Sequence, residues 1–169
     1  IKEAMKNDNN ILDRSIYEDE IFMKMNTEMG NATRVEYDIY KSLLNNMMEE
    51  LPYAAHKKSP DLMITIKVSY ETMINRIIKR GRDYEQVEKD PSLVDYYHRL
   101  LSHYDDWMNE YDESPLLIID GDKYDFVADV KDRVKILETI EDKLYDLGNL
   151  EQTKVDELRK AHLEILKQQ

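Results

Sequence analysis

The sequence predicts an α/β fold in which a parallel sheet is flanked by helices. Short apolar segments that are typical of strands alternate along the chain with longer segments that have helical spacing. Strands that are joined through a helix, and not through a tight turn, pair in parallel. The 169 residues are enough for one domain or most of one, and a hydrophobic fraction of 41% is enough for a core.

Three segments predict strands. Residues 61–68, DLMITIKV, are the strongest, residues 115–119, PLLII, are similar, and the apolar run at 10–12 predicts a third. Ligands of such sheets bind beyond the carboxyl ends of the strands. The motifs DRS at 13–15 and DGD at 120–122 follow two of these strands and are therefore candidates for a site.

Six segments predict helices. Ser15 and Glu18 form a capping box that opens the first of them. The third ends at Gly81, which is typical of a left-handed cap. The others are predicted over 40–51 with a stop at Pro52, from near Pro91 to Tyr111, over 127–147 with a stop at Gly148, and over 150–169.

Composition excludes several classes of function. A net charge of −12 would repel a nucleic acid backbone, and the chain has no uninterrupted apolar stretch long enough for a membrane span. Without cysteine there is no disulfide and no thiolate zinc site. We expect a cytoplasmic protein that binds neither nucleic acid nor membranes.

One compact basic cluster stands out in this acidic chain. It places four positive charges within seven residues: Arg76, Lys79, Arg80 and Arg82. Cations at a helix C-terminus are stabilised by the helix dipole, which explains part of the cluster. A third arginine beyond Gly81 is explained better by a small anionic ligand, because one guanidinium can donate two parallel hydrogen bonds to the oxygens of a phosphate.

The DRS motif has two readings. Ser15 can simply cap a helix while its two neighbours remain solvated. Alternatively, Asp13 binds Mg²⁺ and Arg14 binds phosphate oxygens at the edge of the sheet. The acidic residues 120, 122 and 125 lack the full ligand series of a calcium loop and predict a turn. The four histidines have no ligand spacing and predict surface or groove positions: His56, His98, His103 and His162.

In their order and spacing, the stretches ILDRSIYED, NRIIKRGRDYE and DGDKYDF resemble the deoxynucleoside kinase family from about residue 5 to about residue 147. Residues 25–52 resemble the bacterial deoxyadenosine/deoxyguanosine kinase branch. The resemblance implies a P-loop-kinase-like α/β fold and ATP-dependent 5′-phosphorylation of a purine deoxynucleoside. It also implies ATP and Mg²⁺ as cofactors and a homodimer.

The resemblance implies roles for residues near the nucleoside. Asp13 corresponds to the acid of the Mg²⁺-phosphate site, and Arg14 to the arginine near the 5′-hydroxyl and the transferred phosphate. Asp19 corresponds to an acid that reads the base, and Phe22 or Met23 would pack against that base.

Other roles concern the lid and the phosphate donor. The lid glutamate that contacts the sugar 3′-hydroxyl corresponds to Glu85. The lid arginines that hold the phosphates of ATP correspond to Arg76, Arg80 and Arg82. The loop around the ATP adenine corresponds to Asp125 and Phe126.

The sequence departs from the family pattern in one respect. None of its four glycines fits the phosphate-binding loop G-x-x-x-x-G-K-[ST]. We therefore expect residues 1–148 to be the C-terminal part of a kinase domain that lacks its first strand, phosphate loop and general base, with 149–169 as a helical tail. Such a chain is expected to be inactive alone. A thymidylate-kinase-like nucleoside monophosphate kinase and a non-catalytic helical interaction protein are the alternatives.

Overall fold

The computed structural model describes residues 10–14, 16–49 and 59–167. The chain forms two compact units. The helical unit contains residues up to 60 and residues 83–111, and the sheet unit contains residues 61–82 and 112 onwards. The helical unit contains the following elements: α1 (Ile16–Glu28), α2 (Arg34–Glu49), a short 3₁₀ turn (Asp83–Glu85) and α4 (Leu93–Glu110). The sheet unit contains the others: β1 (Met63–Lys67), α3 (Tyr70–Arg80), β2 (Leu116–Asp120), α5 (Val130–Asp146) and α6 (Gln152–Lys167).

The predicted parallel pairing is confirmed in the sheet unit. β1 and β2 are parallel and in register, from Met63 opposite Leu116 to Lys67 opposite Asp120. Both strands therefore end at the same edge, where β1 leads into α3 and β2 leads into the loop before α5. In the described part of the chain these two are the strands of the sheet.

The strand predicted at residues 10–12 is wrong. These residues lie outside the sheet, and the side chains of Ile11 and Leu12 are 99% and 56% exposed. An extended segment becomes a strand only where a neighbouring backbone completes its hydrogen bonds, and β1 and β2 pair with each other in the other unit. Arg14 then turns the backbone sharply, with φ at 69°. Ser15, half of the predicted capping box, lies outside the described residues.

The helix ends explain why most predicted boundaries hold. Ser69 caps α3 by accepting the Thr72 N–H at 3.2 Å, and Gly81 ends it with φ at 72°. α2 begins earlier than predicted, because Thr33 and Glu36 form a reciprocal capping box (Thr33 N–H to Glu36 at 2.7 Å, Glu36 N–H to Thr33 at 3.2 Å). Its predicted stop at Pro52 lies outside the described residues.

The core of the helical unit forms where α1 packs against α2 and α4. Met25 of α1 is fully buried, as expected for a helix covered on two sides. Toward the start of α1, the Trp107 indole N–H of α4 donates to the Tyr17 carbonyl at 3.1 Å. Tyr37 of α2 and Lys41 both donate to the Glu20 carboxylate. Partial burial alone would raise the pKa of Glu20, but these two hydrogen bonds, together with the positive charges of Lys41 and Lys24, keep that pKa below its usual range.

α6 packs on α5 through charged contacts of Arg159 and His162, which the sequence did not reveal. Arg159 of α6 donates to the carboxylates of Glu141 at 2.6 Å and Asp142 at 2.5 Å, and to the Glu138 carbonyl at 3.2 Å. His162, predicted at a surface or groove position, is only 5% exposed and lies 3.3 Å from Glu141. Burial raises the pKa of Glu141, although the charges of His162 and Arg159 act against that shift.

The start of α3 is tied to the residues after β2. Asp122 accepts the Ser69 N–H at 2.9 Å and the Ser69 hydroxyl at 3.2 Å. Hydrogen bonds from the Thr72 hydroxyl and then from Ser69 hold the pKa of Asp122 below its usual range. No helix in the described ranges is both long and apolar enough to cross a membrane.

Arg159→Met should destabilise the chain by about 1–3 kcal/mol, because it leaves the buried Glu141 carboxylate without its strongest donor. Urea unfolding followed by far-UV circular dichroism measures the loss. Lys154→Met, on the same helix, is the matched control, since Lys154 makes only an exposed i,i+3 pair with Glu157. Equal losses in the two variants would show that the Arg159 contacts do not hold α6 on α5.

Asp122→Asn should weaken the acid sensitivity of the chain. A carboxylate with a lowered pKa contributes stability above its unfolded pKa, here 3.8, and that contribution is lost as the pH falls toward the folded value. The melting temperature of the parent chain should therefore fall more than that of the variant between about pH 5 and about pH 3. Asp112→Asn, in the same unit, is the control; parallel acid profiles for parent and Asp122→Asn would contradict the role given to this cap.

Candidate functional site

The candidate residues fall into two sets, and each set lies within one unit. The helical unit contains Asp13, Arg14, Asp19, Phe22, Met23 and Glu85. The sheet unit contains Arg76, Arg80, Arg82, Asp125 and Phe126.

The turn before α1 brings two candidate residues together. The guanidinium carbon of Arg14 lies 4.6 Å from the centre of the Phe22 ring, which is a cation–π contact. Arg14 reaches this position because its backbone is left-handed, an uncommon conformation for a residue with a side chain. Its guanidinium therefore lies over the first turns of α1 and not along the line of residues 10–12.

One face of α1 carries three of the candidates of this segment, Phe22 among them. Asp19, Phe22 and Met23 are spaced i, i+3 and i+4, so they are neighbours on the helix surface, and all three are half-buried. An acid, an aromatic ring and a thioether beside an arginine form a surface that is suited to a flat polar ligand. The carboxylate can accept hydrogen bonds while the ring and the thioether pack against a planar group.

Tyr104 of α4 supports this face, and the sequence did not single it out for that role. Its ring packs edge-on against Phe22, with the ring centres 6.4 Å apart, and its hydroxyl donates to Glu18 at 3.2 Å. Burial, followed by the charge and hydrogen bond of Glu18, raises the pKa of Tyr104 to about 12. Tyr104 therefore stays protonated and keeps donating. Burial and then the charge of Asp19 raise the pKa of Tyr40 on α2.

Glu85 is positioned by α4. It ends the 3₁₀ turn, is half-buried, and its backbone carbonyl accepts the Tyr97 hydroxyl at 2.9 Å. Tyr97 is itself buried. The sequence did not single out Tyr97 for this contact, since a carbonyl as hydrogen-bond partner leaves no signal in a residue pattern.

The three lid arginines have different surroundings. Arg76 is half-buried, and its Nη2 atom donates to the carbonyls of Gly121 at 2.6 Å and Tyr124 at 3.2 Å. Arg80, one turn further along α3, and Arg82, just beyond Gly81, are both exposed. Arg76 thus contacts the loop after β2, whereas Arg80 and Arg82 present cations at the exposed end of the helix.

The loop between β2 and α5, residues 121–129, is held from the α5 side as well. Asp132 accepts the Asp125 N–H at 2.8 Å, and Arg133 donates to the Phe126 carbonyl at 2.9 Å. The Asp125 carboxylate accepts the Ala128 N–H at 3.1 Å, and this contact is the main reason that the pKa of Asp125 is lowered. The half-buried Phe126 therefore sits on a backbone that is fixed on both sides of it.

Asp13 fits a Mg²⁺ ion that takes its other ligands from phosphate and water. Its carboxylate is exposed, and the described ranges contain no group of three or more histidines or acidic residues that could hold a metal ion unaided. Mg²⁺ is commonly held by one or two carboxylates together with substrate phosphates. A single exposed carboxylate is what such an ion requires from this part of the chain.

Comparison with known proteins identifies the family. A family model for deoxynucleoside kinases matches residues 1–145. The chain is 55% identical over 150 residues to a deoxyguanosine kinase of Lactobacillus acidophilus and 54% identical over 151 residues to one of Lactobacillus johnsonii. It is 49% identical over 150 residues to a deoxyadenosine kinase of Lactobacillus acidophilus.

Each of these alignments covers 89% of this chain but only 65%, 67% and 69% of the respective relative. The chain therefore spans about two thirds of the length of these curated relatives. No solved structure was found to match it. Because the family match extends over most of the residues and the identities to curated members are about one half, the chain belongs to the deoxynucleoside kinase family.

Proposed function

We propose that a protein containing this chain transfers the γ-phosphate of ATP to the 5′-hydroxyl of a deoxynucleoside, deoxyadenosine or deoxyguanosine. The face of α1 carries this proposal, because it places Asp19, Phe22 and Met23 beside the guanidinium of Arg14. A planar base with polar edges suits the first three, and the 5′ end that receives a phosphate suits the arginine. The relatives are named as deoxyguanosine and deoxyadenosine kinases, which favours a nucleoside acceptor over a nucleoside monophosphate.

The proposed roles follow from the chemistry of phosphoryl transfer. The 5′-hydroxyl gives its proton to a general base, and its oxygen forms a bond to the γ-phosphorus as the bond to the β–γ bridging oxygen breaks and ADP leaves. Negative charge is spread over the transferred group during this step. Arg14, Arg80 and Arg82 stabilise that charge, and Asp13 holds Mg²⁺. Bound Mg²⁺ neutralises charge on the donor phosphates. We assign the general base to no residue of this chain.

Two further parts of the proposal concern binding. Asp125 and Phe126 contact the adenine of ATP, and Glu85 accepts a hydrogen bond from the 3′-hydroxyl of the sugar.

A cytoplasmic location belongs to the same proposal, because the proposed donor, ATP, is made and used there.

We also propose a homodimer, which the exposed apolar face of α2 supports. Four apolar side chains at helical spacing on this face are between 47% and 67% exposed: Val35, Ile39, Leu43 and Met47. A contiguous apolar patch of this kind is typical of a surface that a partner covers.

A hybrid enzyme tests the proposed activity. In it, residues 1–145 replace the matching part of the deoxyguanosine kinase of Lactobacillus acidophilus. With labelled ATP, the hybrid should phosphorylate deoxyadenosine or deoxyguanosine, and Arg80→Ala should lower its kcat/KM at least about tenfold, or 1.4 kcal/mol. Lys135→Ala, an exposed cation of the sheet unit, is the control.

The unmodified relative and the 169-residue chain are assayed alongside the hybrid. No turnover by a hybrid that melts cooperatively would refute the proposed activity. A change of less than twofold for Arg80→Ala would refute the role of Arg80 in binding phosphate.

Glu85→Gln in the hybrid should weaken the use of deoxynucleosides more than the use of their 3′-deoxy analogues, because only the former offer the hydroxyl. A hydrogen bond to a charged group contributes about 1.5–3 kcal/mol, so the difference in kcat/KM should reach about tenfold. Glu88→Gln, three positions along, is the matched control. Similar losses for both classes of substrate would remove the sugar contact from the proposal.

A further inference from the structure

We propose that Arg76 is a positioning residue that holds the β2–α5 loop in the shape that receives the base of ATP, and that it does not bind the donor phosphates. This inference rests on the proposed function for the identity of the ligand. It divides the three lid arginines into one that shapes the base site and two, Arg80 and Arg82, to which the proposed function assigns the phosphates.

The contacts of Arg76 support this role. A single guanidinium nitrogen bridges the carbonyls of Gly121 and Tyr124, which closes the first turn of the loop. Charge-assisted hydrogen bonds are roughly twice as strong as neutral ones. An arginine that turned to a phosphate would leave both carbonyls without this donor, so the half-buried position favours the loop.

The Gly121 carbonyl is fixed in place from the opposite side. The Gly121 N–H donates to the Lys67 carbonyl at the end of β1, at 2.7 Å. A Cβ atom at Gly121 would come within 2.6 Å of Val68 and 2.8 Å of Ile66, so the backbone lies directly against β1. One of the carbonyls that Arg76 binds, that of Gly121, therefore belongs to a backbone segment held against β1. The second hydrogen bond of Arg76 joins the carbonyl of Tyr124 to α3.

Tyr124 directly precedes the two residues proposed to contact adenine. From the α5 side, Asp132 and Arg133 hold the backbone of Asp125 and Phe126. From the α3 side, Asp122 binds the helix start and Arg76 binds the carbonyl of Tyr124. Loss of Arg76 leaves the loop attached at Asp122 and at α5, but releases the segment immediately before Asp125.

The position of Arg80 completes the inference. Arg76 and Arg80 are separated by one helical turn and lie on one face of α3. The same helix therefore fixes the loop through one arginine and presents the next one, exposed, at its C-terminal end. A rigid helix that carries both groups would set the spacing between the base and the phosphates of the donor.

The test compares ATP with ribose 5′-triphosphate, which has the same phosphates but no base. Calorimetry on the hybrid enzyme gives the dissociation constant of each ligand. The dissociation constant of ribose 5′-triphosphate divided by that of ATP measures the contribution of the base. Arg76→Met should lower this ratio about fivefold or more, by weakening ATP while leaving the base-free ligand nearly unchanged. Arg80→Ala should weaken both ligands by a similar factor, and Arg99→Met, which removes an exposed arginine of α4, is the charge-matched control.

Amide hydrogen exchange on the 169-residue chain gives a readout that is independent of catalysis. Arg76→Met should increase exchange in residues 121–129, whereas Arg80→Ala should not. Unchanged exchange, or an equal loss of affinity for both ligands, would overturn the inference. If the exchange and the binding ratio change as expected but the hybrid shows no turnover, the proposed kinase activity fails while the positioning role stands.

Discussion

The parallel pairing of β1 with β2 is the constraint on which the sheet unit depends. Because Lys67 and Asp120 are in register, β1 and β2 end side by side at the same edge of the sheet. α3 and the β2–α5 loop therefore begin side by side, close enough for Asp122 to cap α3 and for Arg76 to reach two loop carbonyls. A shift of register would separate these groups, so the contacts of Arg76 with the loop follow from this pairing.

The helical unit depends in a similar way on the packing of α1 between α2 and α4. The buried side of α1 carries Ile21 and Met25, and its half-buried side carries the proposed base-binding residues. Tyr104 and Trp107 of α4 hold the first turns of α1 through their polar atoms as well as their rings. The half-buried candidate face of α1 is thus supported by two aromatic residues whose polar atoms each have a hydrogen-bond partner. Tyr and Trp side chains usually find such a partner when they are buried.

Much of the fold was predictable from the sequence. The α/β class, the parallel pairing, the family and most helix bounds were confirmed, since apolar spacing and caps such as Ser69 and Gly81 are local signals. The strand at 10–12 was wrong because a short apolar run does not reveal whether a neighbouring strand will pair with it. The burial of His162, which was predicted at a surface or groove position, depends on the way α6 meets α5.

The candidate site was predictable only as a set of residue types. The sequence grouped Arg76 with Arg80 and Arg82, and their different surroundings appear only once the loop after β2 is in place. Tyr104 and Tyr97 were not singled out, because their partners, a carboxylate and a carbonyl, are distant in sequence.

The left-handed backbone at Arg14 has a consequence for protein engineering. A residue with a side chain pays about 1 kcal/mol or more in this conformation, whereas glycine adopts it freely. Replacement of Arg14 by glycine would relieve that strain, but it would also raise the conformational entropy of the unfolded chain and remove the guanidinium over Phe22. Libraries made for stability should therefore keep residue 14 constant, because relief of the backbone strain there comes with the loss of the contact with Phe22.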